Sequence, residues 1–395
     1  MFPERKIIIK LWPFFVYKFL KGIAFITSIT FFVFFTEKEL DYLRISFLLS
    51  LLFITPVFFE TITGIVADVV GRKPSVLMGI FFEILIISGI IFATTYPMLI
   101  ILFFLWSVAI TFSSGADDAW AIDSISEKEK MKFLDQYYTF SSSLFSAGMI
   151  VAGIVSSILV SVSSQSSIWV ARIFLALLMM LVLFTKKEEF ERRKELGGGI
   201  HALIWKVTQG FSYLKKNKRV KNVVFGELFI TFSLVWVGSA ALQPYLLSSN
   251  LPSKLWGMTY SVSAAFGIIT PFLAMKLANS FTNKKKYLIE VLLAHGLIFI
   301  MASLILSPVF ALFFMFAHNI LEDLFNPVNN SFFQQKVPQT VRATLGSLQN
   351  TFIGIGAFLV AIIGGFFVNQ FNPQISIALA ALFLLPAVGF YSKSK

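Results

Sequence analysis

Acidic and imidazole side chains stand inside stretches of this sequence that are otherwise apolar, and their types point to handling of protons or cations. Glu60 lies in one such stretch, Asp117 and Asp118 are adjacent in another, and His318, Asn319, Glu322 and Asp323 share a third. An ionisable group in a bilayer core is costly, so its presence there is by default functional. A carboxyl with no cation beside it can take up and release a proton. His318 and Glu322 are spaced to share one face of a helix, where an imidazole and a carboxyl can pass a proton near neutrality. With no second His nearby in sequence, metal ligation is not expected. Lys21 lies about as far into its apolar run as Glu60 into the next, so a Glu60–Lys21 ion pair is the alternative role for that acid. Adjacent helical residues point about 100° apart, so Asp117 and Asp118 cannot both face one cavity, and one needs another partner. Glu227 sits near the start of its run and is expected to reach water. Arg172 is expected to snorkel to head groups, and His295 to be a core histidine.

These groups need helices to hold them. The chain has 395 residues, 57% hydrophobic and 14% charged, with mean hydropathy +0.80. A soluble domain would carry about 25% charge, so there is too little polar surface here to coat a water-soluble globule. A bilayer core needs roughly 20 apolar residues per helix. Twelve runs qualify: 12–35, 45–67, 74–94, 98–122, 138–161, 167–185, 222–247, 255–279, 287–306, 308–332, 343–368 and 374–391. Most of the 33 Lys and Arg fall between alternate runs and at the two ends. That positive-inside bias predicts a multi-pass protein of the cell membrane with both termini cytoplasmic. It also accounts for the net charge of +12 without a nucleic-acid partner. The longest polar stretch, 186–221, separates a bundle over 1–185 from one over 222–395. Within it, Ile200 to Leu214 has the apolar spacing of an amphipathic helix lying on the membrane.

Cys is absent, so thiolate chemistry is excluded. There is no nucleophile–base arrangement, and Gly197–Gly199 lacks the Lys-Ser/Thr of a phosphate-binding loop. An enzyme, an ATP-driven pump and a bound cofactor are therefore not expected.

One loop carries a specific signature. Gly64-Ile65-Val66-Ala67-Asp68-Val69-Val70-Gly71-Arg72-Lys73, between the second and third runs, resembles the Gly-x-x-x-Asp-Arg-x-Gly-Arg-Arg/Lys motif of the major facilitator superfamily, with Val69 at the usual basic position. The lead-in Glu60-Thr61-Ile62-Thr63-Gly64 and the segment Ser114–Ser124 resemble a multidrug-like bacterial and archaeal branch, as do Gln243-Pro244-Tyr245-Leu246 and Arg342-Ala343-Thr344. Gly64 can admit a neighbouring helix closely, and Gly71 can make a turn that a side chain would block. Asp68 can cap a helix starting on the same face, such as the eleventh run. Arg72 can reach Asp123, which ends the fourth run at the same level. A weaker copy, Ala278–Lys284, follows the eighth run. Aligning Ala278 with Ala67 puts Asn279 at the aspartate position.

The resemblance implies an all-α membrane protein of twelve transmembrane helices in two pseudo-symmetric six-helix bundles, the major facilitator fold. It implies that Gly64, Asp68, Gly71, Arg72, Lys73 and Asp123 lock one conformation, and that helices 1, 4, 7 and 10 line a central cavity. Tyr17, Lys21, Trp120, Trp236, Gln243, Tyr245 and Asn319 are then candidates to touch substrate. The implied activity is alternating-access transport of a small organic molecule by a monomer in the lipid bilayer. Proton-coupled efflux of amphipathic compounds is expected, with Glu60, Asp117, Asp118, His318, Glu322 and Asp323 as candidate proton sites. The alternatives are proton-coupled uptake of a metabolite and a non-transporting receptor or scaffold. The fifth run lacks the Gly-x-x-x-Gly-Pro of drug/proton antiporters, which leaves direction open.

Overall fold

A computed structural model describes residues 5–125, 127–188, 208, 212–281, 283–337 and 339–394. Among them the structure is helical, with no strand. The elements are α1 (segments Arg5–Ile23, Ile26–Ile29 and Phe31–Glu37), α2 (Tyr42–Val70), α3 (Arg72–Phe92), α4 (Tyr96–Ser113, then Ala116–Asp123), α5 (Glu127–Val162) and α6 (Ser166–Phe184). There follow α7 (Lys218–Trp236, a π turn Val237–Ala241, then Leu242–Ser248), α8 (Ser253–Ser280), α9 (Lys284–Leu304), α10 (Pro308–Lys336), α11 (Gln339–Gln370) and α12 (Pro373–Leu382 and Leu384–Lys393). With α1 taken as one span bent by 45°, twelve helices among the described residues are long and apolar enough to cross a membrane. The near-fused third and fourth runs are separate helices, as are the ninth and tenth. The amphipathic reading of Ile200–Leu214 lies largely outside the described residues.

Each apolar stretch spends only part of its surface on packing. Phe58, Phe92, Val162, Phe174, Phe272 and Val309 are each more than half exposed, which suits an acyl-chain solvent and would be untenable in water on this scale. Inside, small residues allow close packing. A Cβ at Gly22 would lie 2.2 Å from the Phe145 carbonyl oxygen, and one at Gly148 2.2 Å from that of Phe19. So α1 and α5 touch backbone to backbone.

The helices form two compact units. Unit 1 comprises residues 1–34, 58–197 and 253–265; unit 2 comprises 35–57, 198–252 and 266–395. The core of unit 1 holds Leu11, Phe14, Tyr17, Trp120 and Tyr137. In unit 2, Trp236, Tyr245, Phe299, Phe314 and Tyr391 are buried.

The units share a sequence register. One constant interval carries Gly71 to Asn283, Glu83 to His295, Trp106 to His318, Asp117 to Asn329, Tyr137 to Gln349, Gly153 to Gly365 and Arg172 to Leu384. The paired positions play matching structural parts. Gly71 precedes α3 as Asn283 precedes α9. Gly153 packs on Gly257 and Ser261 of α8 within unit 1, and Gly365 on Ser46 and Tyr42 of α2 within unit 2. This register sets Asp68 opposite Ser280, one residue from the alignment of Ala278 with Ala67, so Asn279 does not take the aspartate position. The earlier alignment followed residue types in a loop; the helix caps fix the correct one.

Candidate functional site

Breaks in the helices position the polar groups. α4 stops at Ser113 and restarts at Ala116, because Gly115 adopts φ +73°, a left-handed conformation that suits glycine. The restart brings Asp117 and Asp118 into a first helical turn, where the helix dipole favours negative charge. Lys18 and Lys21, on one face of α1, meet them. The Lys18 ammonium lies 3.0 Å from Asp117 Oδ2 and 2.8 Å from Asp118 Oδ1, and the Lys21 ammonium 3.0 Å from the same Asp117 Oδ2. The Tyr137 hydroxyl of α5 donates to Asp118 Oδ1 at 2.7 Å, and Tyr17 stacks beneath both ammonium groups. Both aspartates therefore have partners, and a single lysine bridges the two directions in which they point.

This corrects the sequence expectation for Lys21. It pairs with Asp117, not Glu60. Counting residues along two apolar runs carries no information about which side of each helix a residue takes. Glu60 is exposed and accepts a 3.3 Å hydrogen bond from Ser114 Oγ at the α4 break.

A second ionic site was not foreseen. Arg172 of α6 does not reach outward. Its guanidinium bonds Glu83 of α3 at 2.6 and 3.0 Å, donates to Thr27 Oγ1 at 3.0 Å and to the Ala24 carbonyl, and stacks 5.0 Å from the centre of the Trp106 ring. Both charged side chains are mostly covered. The Ala24 carbonyl is left over where α1 breaks, so the arginine also satisfies a backbone group that the helix has released.

The loop before α3 is tightly tied. Gly71 has φ +117°, and a Cβ there would come within 2.9 Å of Glu188 Oε2. Glu188 accepts from the backbone amides of Arg72 at 2.7 Å and Lys73 at 3.0 Å, closing the N-terminus of α3. Arg72 bonds Asp123, as its spacing predicts, and donates to the Ala119 carbonyl at 2.7 Å. Lys73 donates to the carbonyls of Phe184, the last residue of α6, and of Lys186 just beyond it. Among the described residues nothing lies within 4 Å of where a Cβ of Gly64 would be, and Asp68 is exposed. The close helix approach expected at Gly64 is therefore not made among the described residues.

Unit 2 repeats the layout with different chemistry. Glu227 of α7 is half-buried and shares hydrogen bonds with Asn329 of α10 and Gln349 of α11. The Tyr391 hydroxyl donates to Asn329 Oδ1. Glu227 is thus committed to amides of its own bundle. His318 Nδ1 lies 3.2 Å from His295 Nε2 of α9, with the His318 ring between those of Phe299 and Phe314. The expected His318–Glu322 pair is not formed. A one-turn spacing put both on one side of α10, but the imidazole turns to α9 while Glu322 bonds Asn326. Asp323 lies against the backbone of α8 at Gly267.

The candidate substrate contacts divide. Trp236 donates to Ser376 Oγ at 2.8 Å, and the Tyr245 hydroxyl to the Ile305 carbonyl, so both spend their polar atoms inside unit 2. Gln243, Tyr17 and Trp120 are buried, and Asn319 is half-buried. Trp120 packs edge-on to Phe14 and keeps an indole N–H without a partner among the described residues.

The family model described as Major Facilitator Superfamily matches residues 14–361. This chain belongs to the Major Facilitator Superfamily. Like other members of that superfamily it is a membrane transporter and not an enzyme. It is 23% identical over 396 residues to the uncharacterized MFS-type transporter YxaM of Bacillus subtilis (strain 168), covering 96% of this chain and 94% of that one. Among solved structures it is similar to a mutant of the nucleoside transporter NupG, with TM-score 0.81 and 17% identity over 98% of this chain and all of that one. A bacterial homolog of the human lysosomal transporter Spinster, in an inward-facing and unoccupied conformation, gives TM-score 0.72 at 14% identity, covering 98% of this chain and 96% of that one. These likenesses establish the major facilitator fold.

Proposed function

We propose that this transporter moves a small amphipathic organic molecule out of the cell by alternating access, driven by protons. It sits in the cell membrane as a monomer with both termini and the 186–221 linker in the cytoplasm, the linker joining a bundle over 1–185 to one over 222–395. The observation that carries proton coupling is the contrast in acid partners. Asp117, Asp118 and Glu83 are all held by Lys or Arg. Among the described residues Glu227 has only amide partners, so gaining or losing a proton there changes the local charge outright. The described groups facing Glu227 are Asn329, Gln349 and the Tyr391 phenol, and none of these is a cation. Glu60, Glu322 and Asp323 are further proton sites in this reading. Gly64 and Asp68, open and exposed here, form the surface on which the other conformation closes, with Arg72–Asp123 and Glu188 keeping the loop in shape.

The efflux direction rests on the multidrug-like segments around Glu60 and Asp117. The Lys18–Lys21–Asp117–Asp118 cluster favours a second reading, proton-coupled uptake of a polar metabolite, since so polar a lining suits a polar guest. Nucleoside transport by NupG and peptide transport by the POT family make nucleosides and peptides sensible first substrates to try.

The test uses purified protein in sealed vesicles with a pH-sensitive dye inside. Addition of substrate, with both signs of substrate gradient, should drive proton movement that Glu227→Gln abolishes. Substrate movement without any proton flux in either direction would remove the coupling, and retained flux in the Gln variant would remove Glu227 from it.

A further inference from the structure

The charge cluster of unit 1 has an order that its separate contacts conceal. Lys21, Asp117, Lys18 and Asp118 follow one another through contacts of 3.0, 3.0 and 2.8 Å, so charges alternate along the row. Exposure is graded along the row. Asp117, at 4%, is buried and Lys18, at 12%, is mostly covered; the two ends, Lys21 at 39% and Asp118 at 32%, are more open. The middle pair neutralises itself and fixes the geometry. The end groups retain bonding capacity. The Lys21 ammonium carries three donors and bonds an Asp117 oxygen that Lys18 already satisfies. Asp118 places Lys18 and Tyr137 on one oxygen, Oδ1. An open ammonium and an open carboxylate in spanning helices face an aqueous path rather than lipid, since lipid exposure of either would be prohibitive.

The geometry points to a binding site for zwitterions, with Lys21 taking a substrate carboxylate and Asp118 a substrate ammonium. The mostly covered Lys18–Asp117 pair holds the two ends apart in fixed register and supplies no contact of its own. A ligand with both charges completes the alternating row at its two ends. A ligand with one charge leaves the opposite end as it was and gains one charged hydrogen bond instead of two. Tyr137, by holding Asp118 Oδ1, aims the other oxygen and acts as a positioning residue. This inference rests on the reading of unit 1 as part of the substrate path. It names a substrate class for either direction of transport.

The experiment is binding to purified detergent-solubilised protein, read by thermal shift and calorimetry and therefore independent of transport. Matched triplets are compared: phenylalanine with phenethylamine and 3-phenylpropanoate, and 6-aminohexanoate with hexylamine and hexanoate. At least one zwitterion should bind roughly tenfold or more tighter than both of its single-charge analogues, the margin of one charged hydrogen bond. Lys21→Met should bring that zwitterion down to the level of its amine, and Asp118→Asn to the level of its acid. Lys21→Arg and Asp118→Glu, which keep the charges, should retain the preference and guard against a folding artefact. Equal binding within every triplet, or a preference that survives both Lys21→Met and Asp118→Asn, overturns the assignment. Selective binding by a protein that moves nothing in vesicles would sink the transport reading and leave this one standing.

Discussion

The polar interior of the first half is built from full charges, and the matching interior of the second half from neutral groups. Where unit 1 has Glu83, Trp106 and Arg172, unit 2 has His295, His318 and Leu384 at the same interval. Where unit 1 has Asp117 and Tyr137 against two lysines, unit 2 has Asn329 and Gln349 around one carboxyl. Buried ion pairs are weak sources of net stability but severe when half is removed. The ion-paired acids of unit 1, Asp117, Asp118 and Glu83, are therefore fixed in their charge state. Unit 2 keeps acids held by amides instead, Glu227 with Asn329 and Gln349 and Glu322 with Asn326, whose charge is free to change. The difference suggests a division of labour in which one bundle provides a constant electrostatic frame and the other a variable one.

The comparison can be broken in several ways. The largest effect is expected from Arg172→Leu, which strands Glu83 in the interior and should cost about 3–5 kcal/mol, read as a lowered unfolding temperature. Adding Glu83→Leu should recover most of that loss; failure to recover would mean that Arg172 acts mainly through Ala24 and Thr27. At the equivalent place in unit 2, His318→Phe removes one neutral hydrogen bond, for about 1 kcal/mol. A loss as large as that of Arg172→Leu would abolish the proposed contrast. The helix caps offer a comparable test. Asn283 caps α9 with its own side chain, bonding the Lys286 amide at 2.9 Å, and Asn283→Ala should cost about 1 kcal/mol. α3 borrows its cap from Glu188, and Glu188→Gln should cost only about 0.3–1 kcal/mol, since the amide oxygen still accepts. The smallest expected change in stability is that of Glu227→Gln, whose unfolding temperature should match the parent protein.

Much of this was legible in the sequence because apolar length and Lys/Arg placement are bulk properties. They gave twelve spans, and the loop Gly64–Lys73 gave the superfamily and the Arg72–Asp123 contact. What stayed hidden depends on which way a side chain turns. Lys21 and Glu60 are about equally far into two successive apolar runs, but that count carries no information about azimuth. Glu83 and Arg172 are far apart in the chain, and neither belongs to a motif, so only packing brings them together. His318 obeyed its spacing with Glu322 and still found its partner on another helix. The interval that relates the halves was present in the sequence all along. It is nearly invisible because Glu becomes His, Trp becomes His and Arg becomes Leu along it, so the positions match while the chemistry does not.

The bond from Arg172 to the Ala24 carbonyl has a consequence for how α1 could vary. A helix that ends early leaves a bare carbonyl, and here the group that answers it is anchored two helices away by Glu83. The bend of α1 is thus not encoded in α1 alone. A chimera that swaps the first helix of this chain into a relative lacking the Glu83–Arg172 pair should import the residues but not the bend, and amide exchange around Ala24 to Ser28 should quicken accordingly. In heredity as in mechanics, the kink and its distant clasp form one character, and they should be transferred or lost together.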